Sequence, residues 1–189
     1  MANENTANYG PLQHLFGTWK GNKGIDVSPE TDGDDINPFY ETITFEAAGD
    51  VDNAETQNMA IARYHLSVQR TSNDEVFHDQ VGYWLWDKKN ETIIHSLAIP
   101  RAVSLLAGGK FDPAKANDDE VTFEVEATDG GEWGIIQSPF MNGKAKTTSF
   151  KMKMTVSATK LSYSETMMVD IYGRTATHTD DNVLEKVNG

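Results

Sequence analysis

The chain has 189 residues, a length typical of one domain, and 38% of them are hydrophobic, which suffices for a single core. It contains no cysteine, which excludes disulfides, thiolate metal sites and thiol catalysis. Acidic residues outnumber basic ones by 29 to 16, and the net charge of −13 argues against a nucleic-acid partner because DNA and RNA are polyanions.

The N-terminal residues lack the basic and apolar regions of a secretory signal. No apolar run in the chain approaches the roughly 18 residues that a membrane span requires. We therefore predict a cytoplasmic protein without a membrane span. We expect one domain over residues 1–189, with residues 1–10 as a flexible terminus.

The first strand-like run opens at residues 17–21, Gly-Thr-Trp-Lys-Gly, directly after an apolar turn. Glycines on either side of Trp19 allow close approach of neighbouring backbones, and the indole is large enough to plug one end of a barrel. This pattern suits the first, sharply bent strand of a β-barrel. We predict that residues 12–16 form a short helical cap before it.

Apolar and polar residues alternate with a period of two along most of the chain, as expected for half-buried strands. In the clearest segment, Met152 and Met154 share one face, while Lys151 and Lys153 share the other. About ten strands are predicted, the first from residue 18 and the others at 39–45, 60–68, 76–86, 92–98, 103–106, 121–127, 148–156, 161–169 and 175–187.

Turn residues separate these runs, and hairpin turns are predicted at 87–90, 129–131 and 142–143. The short spacings favour antiparallel neighbours, because a parallel crossover needs a dozen or more residues. An all-β, antiparallel, up-and-down barrel is therefore predicted, with a flattened sandwich as the alternative. Two acidic segments, 28–38 and 111–120, are predicted to be solvent-exposed loops.

Five histidines are the main candidates for binding a transition metal. His178 is singled out because its alternation partners, Ala176 and Asp180, are small or polar, so that the imidazole can face a cavity. One histidine on a barrel wall suffices as the axial ligand of a haem iron. A surface or hydrogen-bonded histidine would produce the same pattern.

A second candidate is His78, which shares the parity of Gln80, Gly82 and Trp84. If Trp84 points inward, the same face carries His78, so an aromatic wall and a polar tip would share one cavity. Packing within the strand, with His78 at the rim, is the alternative. Trp19 and Met152 are further candidates for the cavity wall, although methionine is also a common core filler.

Three segments of the sequence resemble the nitrobindin family, haem-binding β-barrels related to the C-terminal domain of THAP4 proteins and shaped like fatty-acid-binding proteins. The opening Leu-x-x-Leu-x-Gly-Thr-Trp-Lys-Gly of residues 12–21 is similar to the first signature of that family. Residues 78–84, His-Asp-Gln-Val-Gly-Tyr-Trp, resemble its central element. Residues 161–168, followed by His178, resemble its last two strands.

This resemblance implies haem b as the cofactor, His178 as its proximal iron ligand and His78 in the distal pocket. Trp84, Trp19 and Met152 complete the expected cofactor-binding set. The implied activity is isomerisation of peroxynitrite to nitrate at ferric haem, with nitric oxide binding to the ferrous form. The iron supplies that chemistry and the barrel supplies binding and access, so no catalytic side chain is predicted.

The sequence also departs from the family pattern. Lys23 stands where a glycine is expected, and residues 25–29 with the acidic segment replace a Tyr-Pro stretch. Residues 179–182, Thr-Asp-Asp-Asn, follow His178 where the family is apolar. Asp180 shares the face of His178. It either polarises the imidazole or indicates that this face is exposed to solvent and binds no ligand.

Haem binding, with nitric oxide or peroxynitrite chemistry as a consequence, is the leading hypothesis. The alternative is a non-enzymatic carrier of an apolar or amphipathic small molecule, similar to lipocalins and fatty-acid-binding proteins. A third possibility is a closed barrel filled by its own aromatic side chains. No pattern in the sequence indicates an oligomeric state.

Overall fold

The structure is a computed structural model, and it describes residues 7–187. The strands are β1 (Gly17–Glu30), β2 (Gly33–Ala54), β3 (Gln57–Arg70), β4 (Val76–Asp87), β5 (Thr92–Ile99), β6 (Val103–Lys110), β7 (Glu120–Thr128), β8 (Ile135–Gln137), β9 (Ala145–Ser157), β10 (Lys160–Ile171) and β11 (Arg174–Lys186). Two 3₁₀-helices span Gly10–His14 and Pro113–Lys115, and one short α-helix, α1, spans Pro139–Lys144. No helix within residues 7–187 is long and apolar enough to cross a membrane.

Ten of these strands close into an antiparallel barrel. The sheet runs β5-β4-β3-β2-β1-β11-β10-β9-β7-β6, and pairing of β5 with β6 joins its two ends. The short β8 pairs with β6. Closure leaves no free edge in the ring, which is the physical advantage of a barrel over an open sheet. The predicted up-and-down barrel is confirmed, and the sandwich alternative is wrong.

The predicted alternation places one face of each strand inside the barrel. In β3 the inward residues are all buried: Ala60, Ala62, Tyr64, Leu66 and Val68. In β9, Met152 and Met154 are buried, whereas Lys151 and Lys153 lie outside and pair with Glu126 and Glu124 of β7. Such exposed cross-strand pairs add little stability, so burial of the inner face is the main stabilising contribution.

One end of the barrel is closed by the N-terminal 3₁₀-helix, which confirms the predicted helical cap, although the helix lies two residues earlier than expected. Leu12 of this helix and Leu15, which follows it, are fully buried, and Trp19 Nε1 donates a hydrogen bond to the Leu15 carbonyl oxygen at 2.6 Å. This bond satisfies the indole N–H in a dry environment. Of the predicted flexible terminus 1–10, residues 1–6 lie outside the described residues.

The segment 28–38 is not the predicted loop. β1 extends to Glu30 and β2 begins at Gly33, so that only a two-residue turn separates them. Arg174 of β11 donates hydrogen bonds to the Glu30 and Gly33 carbonyl oxygens at 3.1 and 2.8 Å and lies 3.6 Å from an Asp34 carboxylate oxygen. Pairing with β2 and these contacts override the low strand propensity of aspartate and proline.

The predicted hairpin turn at 142–143 is also wrong, because these residues belong to α1. Ser138 caps this helix: its Oγ accepts a hydrogen bond from the Met141 N–H, and Pro139 occupies the first turn. Ser and Pro are the residue types that favour a helix start. The predicted loop 111–120 connects β6 to β7 and contains the Pro113–Lys115 helix.

Candidate functional site

The interior of the barrel contains a cavity of about 400 Å³. It lies at the end opposite the N-terminal helix, where turns join β1 to β2, β3 to β4, β5 to β6 and β10 to β11. This volume lies within the range of about 300–1,000 Å³ that is typical of small-molecule sites. The apolar part of its wall is formed by residues of seven strands and α1, among them Phe39, Leu66, Val68, Phe77, Ile99, Val103, Met141, Met152, Met167 and Val169. The cavity excludes the hypothesis of an interior filled entirely by aromatic side chains.

His178 lies on the inward face of β11 and lines this cavity. Its Nε2 is 2.7 Å from Asp26 Oδ1 and 3.4 Å from Asp180 Oδ2. Asp26 and Asp180 are cross-strand partners on β1 and β11. Two carboxylates in such positions repel each other, so the imidazole between them is well placed to reduce the repulsion. Asp180 therefore contacts the histidine, as one of the two sequence-based interpretations expected.

Asp26 is held in position by further hydrogen bonds. Its Oδ2 accepts from Asn37 Nδ2 at 3.2 Å and from Ser28 Oγ at 3.3 Å, while its Oδ1 faces His178. Only 6% of its side chain is exposed. Strict alternation from Trp19 would turn Asp26 outward, so the sequence pattern did not indicate it as a site residue. An irregularity in the pairing of β1 with β2 shifts the strand's phase after Gly21 and turns Asp26 inward.

The charges around His178 oppose the effect of its burial. Burial alone would lower the pKa of His178, but the hydrogen bond that it donates to Asp26 and the charge of Asp180 raise this pKa above its ordinary value. Burial raises the pKa of the Asp180 carboxyl, against the effect of His178, and Asp26 raises it further. The site therefore holds protons more readily than the same groups would in water.

Glu165 is a third acid of the cavity wall, on the inward face of β10. Among the described residues its carboxylate has no hydrogen-bond partner. Burial raises the pKa of Glu165, and the neighbouring Asp180 raises it further. The alternation of Tyr163, Glu165 and Met167 in the sequence would have been enough to locate this inward carboxyl group.

Glu41 lies behind this wall and is 1% exposed. Its carboxylate accepts hydrogen bonds from Tyr163 OH at 3.1 Å and from Asn182 Nδ2 at 2.7 Å. Burial raises the pKa of Glu41 to about 7, although both hydrogen bonds act in the opposite direction. The folded protein therefore binds a proton at Glu41 under conditions in which the unfolded chain has released it.

We predict that Glu41→Gln changes how stability depends on pH. Because the folded pKa of about 7 exceeds the ordinary 4.5, the wild type loses this contribution as pH rises from 4.5 to 7. The variant lacks that loss, so its stability relative to the wild type should rise by about 2–3 kcal/mol between about pH 5 and pH 8. Urea unfolding at each pH measures the difference.

Glu46→Gln is the matched control, because Glu46 lies on the same strand with its side chain 58% exposed. It removes the same formal charge without removing a buried carboxyl, so we expect its difference from the wild type to be nearly constant over this pH range. A difference between Glu41→Gln and the wild type that does not vary with pH would contradict the prediction.

His78 and Met152 line the same cavity as His178. His78 Nε2 is 3.2 Å from Gln80 Oε1, and burial is the main cause that lowers the pKa of His78. The structure therefore brings together three of the five residues that sequence analysis assigned to a cofactor site. A wider depression of about 590 Å³ lies on the outer face of β2–β5 and is lined by paired charges and exposed side chains such as Tyr83.

Trp84 and Trp19 do not line the cavity. Trp84 is 1% exposed and stacks on His95, with 4.2 Å between ring centroids and 9° between ring planes. Trp19 is fully buried beneath the N-terminal helix. Both indoles have the predicted inward parity, but they lie too far along their strands, towards the closed end of the barrel.

The donor atoms of the cavity suit a metal-containing group. Asp26, His178 and Asp180 each bring one potential ligand atom within 4.8 Å of the others. With Nε2 of His178 turned to Asp26, its Nδ1 has no hydrogen-bond partner among residues 7–187 and is not sealed from the cavity or solvent. A carboxylate at one imidazole nitrogen commonly orients a histidine whose other nitrogen binds a metal. The apolar wall and the Arg70 and Arg101 side chains suit the macrocycle and propionates of haem.

Comparisons with known proteins identify relatives of this chain. The family model described as THAP4-like, heme-binding beta-barrel domain matches residues 8–186. Among solved structures, the chain is similar to the crystal structure of Rv2717c from M. tuberculosis, with 17% identity and a TM-score of 0.71. That match covers 94% of this chain and 98% of the other, and at this identity it shows a shared fold. No curated protein sequence matches the chain.

Proposed function

Since the chain belongs to the THAP4-like family of haem-binding β-barrel domains, we propose that its cavity binds haem b and that His178 is the axial ligand of the iron. The observation that carries this proposal is the environment of His178 within the cavity: Nε2 is held by Asp26, and Nδ1 is without a partner among the described residues. When bound, the haem would supply binding of nitric oxide and isomerisation of peroxynitrite, the chemistry implied by the family resemblance.

In this proposal Asp26 orients His178, the axial ligand of the iron. Its contacts with Asn37 and Ser28 fix the carboxylate, and the carboxylate in turn fixes the ring of His178. A hydrogen bond of this kind also increases the basicity of the free imidazole nitrogen and hence its strength as a metal ligand. Iron binds only the neutral imidazole. Binding of haem to His178 would therefore release the proton that Asp26 and Asp180 help His178 to retain.

Two arginines line the cavity near its mouth and would pair with haem propionates. Arg70 Nη1 donates a hydrogen bond to Asn37 Oδ1 at 2.6 Å, and its guanidinium lies 4.4 Å from the centre of the Phe77 ring. Arg101 also lines the cavity. Salt bridges to propionates and contact of the macrocycle with the apolar wall would together orient the haem.

We predict that His178→Ala abolishes axial ligation. The test is titration of the haem-free protein with hemin, followed by absorbance, in which the wild type should show a shifted Soret band that the variant lacks. His65→Ala is the matched control, because His65 lies on the outer face of β3, where its Nε2 is 2.7 Å from Asp79. An absent band in the wild type, or an unchanged band in His178→Ala, would overturn the proposal.

The second candidate function is a carrier of an apolar small molecule without haem. The breadth of the apolar wall, contributed by β2, β3, β4, β5, β6, β9 and β10, favours it. The probe is the dye 1-anilinonaphthalene-8-sulfonate, with fatty acids as competitors. Displacement of bound dye by a fatty acid in a protein that fails the hemin titration would support the carrier. Failure of both ligands to bind would contradict it.

A further inference from the structure

A chain of hydrogen bonds leads from the cavity into the centre of the barrel. His78 Nε2 is 3.2 Å from Gln80 Oε1, Gln80 Nε2 is 2.6 Å from Tyr64 OH, and Tyr64 OH is 2.8 Å from His95 Nε2. Gln80, Tyr64 and His95 are all buried, at 6%, 4% and 1% exposure. Of these four residues, His78 and Gln80 line the cavity, whereas Tyr64 and His95 do not and are outside the reach of a bound ligand.

The amide of Gln80 gives this chain a direction. Its NH₂ group is a donor and therefore donates to the Tyr64 oxygen, while its carbonyl oxygen is an acceptor and must receive a hydrogen from His78. The hydrogen of neutral His78 is consequently on Nε2. This assignment leaves Nδ1 of His78 with a lone pair.

The far end of the chain agrees with that direction. Burial raises the pKa of Tyr64, so its hydroxyl keeps its hydrogen, which has His95 Nε2 as its acceptor. Burial lowers the pKa of His95 to about 3, so this ring is neutral and carries its single hydrogen on Nδ1. Nδ1 of His95 is buried without a partner among the described residues, and Trp84 stacks on the ring with 4.2 Å between the ring centroids.

We propose that Tyr64 and His95 are positioning residues, which act through Gln80 to keep the proton of His78 on Nε2 and to present the Nδ1 lone pair to the cavity. The inference deepens the proposed function, on which it rests. Nδ1 of His78 has no partner among residues 7–187 and is not sealed off. His78 therefore offers a hydrogen-bond acceptor to a bound molecule that presents an N–H or O–H group to it.

The test is the tautomer of His78 in the haem-free protein, measured by long-range ¹H–¹⁵N correlation NMR at about pH 8, where a histidine with a lowered pKa is neutral. His78→Gln assigns the signals. We expect the wild type to show the Nε2–H tautomer. In Tyr64→Phe the Gln80 NH₂ group loses its acceptor, so we expect His78 to become a mixture of both tautomers. His95→Phe removes the acceptor at the far end and should act in the same direction.

Tyr40→Phe is the matched control, since the Tyr40 hydroxyl donates a hydrogen bond to Asp74 at the surface, at 2.9 Å. This substitution should leave the tautomer of His78 unchanged. A purely structural role of Tyr64 would lower stability without altering the tautomer. An Nδ1–H tautomer in the wild type overturns the inference even if neither variant folds, as does an unchanged tautomer in a folded Tyr64→Phe. Because the measurement uses no haem, its outcome is separate from that of the hemin titration.

Discussion

Trp84→Ala should lower the free energy of unfolding by about 3–5 kcal/mol, the range for removing a large aromatic side chain from a core. Trp84 is 1% exposed and packs between two rings, stacked on His95 and tilted at 5.5 Å from Phe123. The surrounding strands form a closed ring and cannot collapse into the space left by an indole, so a cavity should remain. Urea unfolding followed by circular dichroism measures the loss.

Tyr83→Ala is the matched control for this substitution. Tyr83 is the preceding residue, points to the outer face of β4 and is 45% exposed, so we expect its removal to cost about 0.5 kcal/mol or less. Equal losses for the two variants would contradict the assignment of Trp84 to the core.

Trp84→Phe, which retains an aromatic ring, should leave hemin affinity unchanged. Weaker hemin binding at unchanged stability would place Trp84 in contact with the ligand.

Gly82→Ala should also be strongly destabilising, by about 3 kcal/mol or more, at the upper end of the cost of overpacking. A Cβ at this position would overlap the carbonyl oxygen of Ser96 on β5. That oxygen belongs to the backbone of a paired strand, so the clash can be relieved only by moving β5 away from β4. Denaturant unfolding of the purified variant measures the effect.

Gly143→Ala provides the comparison, because a Cβ at Gly143 meets no atom within 4 Å. Gly143 lies in α1, where alanine is favoured over glycine, so this variant should be as stable as the wild type or slightly more stable. A Gly82→Ala protein with wild-type stability would show that β4 and β5 can separate at no cost. The prediction gives the Gly-Tyr-Trp element a physical basis: the glycine allows two strands to approach closely.

The parity of side chains was largely accessible from the sequence. Alternation correctly assigned the inner faces of β3 and β9, and it placed His178 and His78 on the inner faces of their strands. The same rule applied to residues 161–169 would have identified Glu165. Alternation depends only on the two-residue period of an extended chain, so it needs no knowledge of distant contacts.

Positions along the strands were less accessible, because parity does not say how far a residue lies from the mouth. Trp19 and Trp84 face inward as expected but pack towards the closed end, and only Met152 of the apolar candidates reaches the cavity. The hairpin at 28–38 was predicted wrongly because it depends on contacts with Arg174, which is distant in the sequence. The helix at 139–144 was missed although Ser138 and Pro139 are a local signal for a helix start.

The antiparallel strands and the family resemblance could be predicted from the sequence, since period-two patterning and short turns are local properties and the three motifs are local too. The partner of His178 could not, because Asp26 is 152 positions away and faces it only after a change of phase in β1. The protonation of the cavity groups likewise depends on which charges the folded barrel brings together. Such contacts arise from strand register and closure, which local residue patterns do not specify.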